Sequence, residues 1–158
     1  MSLNAALAFE PSMTVHSDLL GPLTVAPEDV VRFPSGLFGF PECREFVLVP
    51  GSREGTYWLQ SVEHGTLAFL LVDPFLFFDD YAVDLGAADR AELEVEEASD
   101  VMVLTIVTLP RTRREPPTTN LQGPLALNLR SRKGKQVAIS ERDLGLRVPV
   151  DLSKPVGG

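Results

Sequence analysis

From Met13 onward, apolar and polar positions change over in short runs bounded by Gly, Pro, Asn and Asp, the pattern of strands and turns. MTVHSDLLGPLTV (13–25) is strand-like, with Gly21-Pro22 marking a bend or an edge position. VVRF (30–33) and EFVLVP (45–50) are short β-rich runs on either side of a FPSGLFGFPE loop. TYWLQSVEHGTLAFLLVDP (56–74) reads as a hairpin, two β-rich runs flanking Glu63-His64-Gly65. PFLFFDDYAVDLG predicts a turn followed by a strand.

AADRAELEVEEASD is the one helix candidate, about two turns long, favoured by Ala87, Ala88 and Ala91. Leu93 and Val95 alternate with glutamates, so a strand start competes there. DVMVLTIVTLP (100–110) is nearly continuous and β-branched, as a strand buried on both faces is. RTRREPPTTNLQGP is a polar, proline-rich connection, and LALNLRSRKGKQVAIS (125–140) a hairpin with a basic tip near Lys133-Gly134-Lys135. The pattern predicts a mainly β, small single-domain fold, barrel-like or a sandwich, with one short helix. Residues 1–12 are expected to be a flexible N-terminal segment, 13–150 the single domain, and 151–158 a flexible tail.

The bulk numbers agree with this reading. A chain of 158 residues fits one domain and buries roughly two-thirds of its surface. Cys43 is the single cysteine, so no intramolecular disulfide is possible, which suits a reducing cytoplasm. MSLNAALAFEPSM has no positive charge ahead of its apolar run, unlike a signal peptide. The longest apolar stretch is broken at Asp73-Pro74 and is too short for a bilayer span. A soluble, cytoplasmic protein with no membrane contact is expected.

Charge changes the picture more, because it is uneven. Residues 1–110 hold 18 Asp/Glu against 4 Lys/Arg, and residues 111–158 hold 4 against 10, within a net −8. That field repels nucleic acid over most of the surface. It fits an acidic face that meets a basic partner, and equally a soluble acidic protein with a basic hairpin.

Few residues offer chemistry. FPSGLFGF lacks the Lys-Ser/Thr and following helix of a phosphate loop, so its glycines read as turn formers, with Phe33, Leu37 and Phe40 as core anchors. Cys43, His16 and His64 lack the paired spacing of zinc ligands, and calcium-loop D-x-D patterns are missing. No metal or cofactor is expected. Ser61 and His64 are the nearest nucleophile–base pairing but read as a strand and a turn residue, and G-x-S-x-G does not occur. Asp79-Asp80 and Glu96-Glu97 keep an acidic-dyad hydrolase as a rival reading. Arg130, Arg132, Lys133 and Lys135 make a small RNA-binding β-barrel, using the basic hairpin 130–135, the alternative function, although no stacking aromatic lies beside them. PFLFFDDY offers Phe75, Phe77 and Phe78 as a partly exposed aromatic patch that anchors a partner; burial on both faces is the competing reading.

Several ordered motifs resemble the FliW family of bacterial flagellar assembly factors: RFPSGLFGFPE (32–42), YWLQSVEHGTLAFLLVDP (57–74), the Tyr81 region, DVMVLTIVT (100–108), TTNLQGPLALN (118–128) and the glutamine of KQVAIS. Phe33, Pro34, Gly36, Gly39 and Phe40 match its signature turn, Trp58, Leu59, Gln60 and Ser61 its hairpin, and Asn120, Leu121 and Pro124 its later loop. The resemblance implies a non-enzymatic, barrel-like domain with two protein partners. One is flagellin, held in the cytoplasm before export. The other is CsrA, a small dimeric RNA-binding translational repressor whose block on flagellin messenger RNA the family relieves, with no direct contact to nucleic acid. The acids Glu92, Glu94, Glu96, Glu97 and Asp100 are expected to line or flank the repressor contact, acting at close range because the Debye length is ~8 Å.

Overall fold

A computed structural model describes residues 12–155, so the expected 1–12 segment and the last residues of the tail lie almost wholly outside it. Seven strands close into a barrel: β3 (Val30–Arg32), β4 (Glu45–Pro50), β5 (Thr56–Ser61), β6 (Ala68–Val72), β7 (Val101–Thr108), β9 (Leu125–Asn128) and β10 (Lys133–Gln136). Neighbours are antiparallel except at the closing seam. There β10 meets β3 in parallel through one register pair, Lys133 opposite Arg32. The Arg132 guanidinium helps hold that seam by donating to the carbonyls of Asp29 and Val30. β8 (Thr118–Thr119) extends the β9 side of β7, and β11 (Val148–Pro149) pairs with β8. β1 (Met13–Ser17) and β2 (Gly21–Val25) form a separate hairpin.

Alternation along the strands builds the interior. Phe46 on β4, Leu59 on β5, Leu71 on β6, Leu104 on β7 and Leu127 on β9 all point inward, joined by Phe33 and Leu37 from the loop after β3. Each such side chain contributes roughly 1.5–3 kcal/mol by burial. The outer face is covered in two places. Val15 and Val25 of the β1–β2 hairpin pack on Val30 and Val47. Phe77 and Val150 pack on Val72 and Val107, with Leu152 beside them.

The FPSGLFGF loop is two successive turns. The Gly36 amide donates to the Phe33 carbonyl, and the Phe40 amide to the Leu37 carbonyl, with Gly39 at φ +85° in the third position of that turn. Phe33 and Leu37 are buried, whereas Phe40 is 36% exposed and stands edge-on to Phe69. Phe40 is therefore a surface aromatic and not a core anchor.

Three other expectations need correction. PFLF forms a single-turn helix, α1 (Pro74–Phe77), rather than a turn, and no strand follows it. Asp73 caps α1 by accepting the Phe75 amide, with proline at its first position. The fold thus carries two short helices, the second being α2 (Ala87–Glu92). The turn of the basic hairpin lies at 129–132, with Arg132 at φ +62°, and Lys133-Gly134-Lys135 belongs to β10. Finally, β7 is not buried on both faces, because Val101 and Val103 remain half-exposed.

Candidate functional site: a groove on the outer face of β7

β7 points Met102, Leu104 and Ile106 into the barrel and Val101 and Val103 outward. Farther along the strand, the outward face disappears under Phe77 and Val150. At its start nothing equivalent among the described residues covers it. Phe75, 44% exposed on α1, stands over this uncovered stretch and tilts against Tyr81. Two adjoining grooves share Phe75, Val101 and Val103. One, of about 510 Å³, runs toward Asp100, Leu129 and Arg130. The other, of about 430 Å³, runs toward Leu85, Arg90 and Val95.

The segment from α2 to β7 forms the rim. Leu93, 1% exposed, plugs the segment into the body. The buried Asn128 amide donates to the carbonyls of Leu93 and Glu94, while its oxygen accepts the Arg130 and Ser131 amides. One side chain thereby fixes both the end of α2 and the 129–132 turn. Helix α2 closes with Val95 donating to the Arg90 carbonyl and Glu94 to that of Ala91. Glu94 occupies the left-handed position, φ +57°, that glycine usually takes in this arrangement.

The predicted acids are gathered here and largely paired within the molecule. Lys135 meets Asp89 at 2.7 Å and Glu92 at 3.1 Å, Lys133 meets Glu94, and Arg130 meets Asp100 at 3.2 Å and Glu96 at 3.9 Å. Five carboxylates thus share three cations, and Glu97 has no cationic partner among the described residues. The rim stays acidic. Asp100 accepts the backbone amides of Glu96 and Glu97 and then the Arg130 guanidinium, which hold its carboxyl down at about 2. The Lys133 ammonium likewise lowers Glu94.

Phe75 and Asp100, read from sequence as separate features, line one groove. Phe77 does not belong to it: it is buried in the cluster beneath α1, and Phe78 is half-buried against the same cluster. The aromatic patch therefore reduces to Phe75. The half-buried valines of β7 were missed because an apolar strand looks the same whether its outer face is covered or bare.

The basic hairpin is committed elsewhere. Arg130, Lys133 and Lys135 are ion-paired, and Arg132 donates to backbone carbonyls. Phosphate binding there would have to displace these partners, which weakens the RNA-binding alternative. Ser61 accepts the amides of Glu63 and His64 and so caps the β5–β6 turn, leaving the imidazole exposed.

The remaining motif residues do not line these grooves. Gln60 donates to carbonyls of the same turn, including Ser61 and Leu67, with Leu59 inside the barrel and Trp58 half-buried outside it. Asn120 accepts the Gln122 and Gly123 amides, Leu121 accepts the Tyr81 hydroxyl at 2.8 Å, and Pro124 is buried next to them. Pro34 lies exposed in the first FPSG turn. Tyr81 is held in its neutral form, burial pushing the phenol up to about 12.

The family model described as "FliW protein" matches residues 14–150. A flagellar assembly factor FliW from Natranaerobius thermophilus is 34% identical over 87% of this chain and 92% of its own. One from Moorella thermoacetica is 38% identical over 80% and 81%. The crystal structure of a flagellar assembly factor FliW superposes with a TM-score of 0.79 at 30% identity, covering 87% of this chain and 96% of that one.

Proposed function

The chain belongs to the FliW family, and from that premise we propose that it is a cytoplasmic, non-catalytic flagellar assembly factor. It binds flagellin before export and antagonises a CsrA-type translational repressor by direct contact. Flagellin and the repressor compete for it, so export of flagellin frees the protein to relieve translation. The observation that carries the site assignment is the exposed Phe75 beside the bare start of β7, inside an acidic rim. An aromatic side chain in a groove is the usual anchor of a protein contact. Carboxylates such as Glu96 and Glu97 next to a docked repressor lower the local potential that its RNA feels, within about a Debye length. Electrostatic repulsion of the message and occupation of the repressor surface then act together.

The test is repressor binding and release of repressor-bound flagellin leader RNA by two variants. Phe75→Asp is expected to weaken repressor binding by about 2 kcal/mol or more while the protein keeps a cooperative unfolding transition, since Phe75 lies outside the barrel core. Glu96→Lys/Glu97→Lys is expected to weaken RNA release. Wild-type affinity and release in both variants would contradict the site assignment.

A further inference from the structure

At the far end of β7 the charge reverses. The connection from β7 to β8 carries Arg111, Arg113 and Arg114, and the β4–β5 turn carries Arg53. Arg53, Arg113 and Arg114 line one cleft of about 780 Å³, whose walls are Pro116, Pro117 and Pro149. Its frame is fixed. The Arg53 carbonyl accepts from the Thr56 amide and hydroxyl, the Val150 amide donates to Pro117, and Leu152 packs on the cluster beneath α1. None of the three arginines is ion-paired among the described residues, in contrast to Arg130, Lys133 and Lys135 at the other end.

We propose that this cleft is a second docking site, distinct from the β7 groove, for an extended acidic segment of a partner protein carrying apolar side chains between its carboxylates. Unpaired guanidiniums match carboxylates in charge and in planar geometry. The proline walls give an apolar surface without N–H donors, suited to aliphatic side chains and poor at holding phosphate oxygens. Among the described residues, no aromatic ring lines the cleft for a base to stack on. Glu115 and Asp151 line the cleft as well, so three guanidiniums face two carboxylates there, which suits an occupant with few, spaced carboxylates and disfavours the charge density of a polyphosphate.

The test is fluorescence anisotropy with a labelled peptide alternating glutamate and leucine, at low ionic strength, with oligouridylate as competitor. Wild-type protein is expected to bind the peptide. Arg113→Glu/Arg114→Glu is expected to weaken binding about tenfold or more. Arg44→Glu, a charge reversal just before the opposite end of β4, is expected to change it less than about twofold. Unchanged urea unfolding of the double variant keeps loss of binding separate from loss of fold. The proposal is overturned by no peptide binding, by equal losses in both variants, by oligouridylate displacing the peptide at lower concentration than unlabelled peptide, or by self-association that the double variant abolishes in the absence of peptide binding. It does not depend on the β7 groove, and Phe75→Asp is expected to leave peptide affinity unchanged.

Discussion

Gly36 and Gly39 stand three positions apart in one loop and are required for different reasons. Both have positive φ, but a Cβ on Gly39 meets nothing within 4 Å, whereas one on Gly36 would sit 2.5 Å from the Pro41 carbonyl oxygen and 2.6 Å from that of Phe40. Backbone oxygens cannot turn away as a side chain can. Gly39→Ala should therefore cost about 1 kcal/mol for conformation alone, and Gly36→Ala roughly 2–4 kcal/mol once overpacking is added, read from urea midpoints. Equal losses would show that the turn conformation, and not the close approach, makes Gly36 necessary. Tyr81 gives a pH signature. Its pKa lies near 12 in the folded protein against an ordinary 10.0, so the neutral phenol favours the fold. That stability is complete below pH 10 and is lost as pH rises toward about 12. Tyr81→Phe should remove about 1 kcal/mol at neutral pH, by losing the hydrogen bond to Leu121, and should flatten the alkaline fall in thermal midpoint.

Among the elements, the segment joining α2 to β7 shows what a sequence conveys and what it hides. The acid-rich run and a short helix were legible, because composition and propensity are local. That Lys133 and Lys135 face Glu94 and Asp89 was not, because the pairing spans about forty positions and arises only when β10 lies beside the strap. Gly134 misled for a related reason. Glycine within a strand often marks a close approach, and here a Cβ would meet the Phe33 ring at 2.5 Å, yet it was read as a turn residue. The Asp73-Pro74 start of α1 was a readable helix signal, masked by the apolar run around it. The strap makes its own prediction. Asp100 holds its 3-10 turn (Ala98–Asp100) as a carboxylate with a pKa near 2 against an ordinary 3.8. A lowered pKa contributes stability above the ordinary value that is lost as pH falls from about 4 toward 2. Protection of the Glu96 and Glu97 amides against hydrogen exchange should fall across that window, and Asp100→Ala should reproduce the loss at neutral pH.

The whole molecule is a closed barrel with opposite electrostatic ends. Closure satisfies strand edges that an open sheet of this size would leave for aggregation. Its mainly β class is legible in the turn spacing, but the parallel meeting of β3 and β10, a hundred residues apart, is not. β7 connects the ends: its acidic rim lies at Asp100 and its arginine cleft after Thr108. The proposed function at this scale is exchange of partners, and its direct test is calorimetric titration of the protein with the CsrA homologue of the same organism, repeated with flagellin present. Tight binding that flagellin abolishes is the expected result. Absence of repressor binding, or binding that saturating flagellin leaves unchanged, would contradict it.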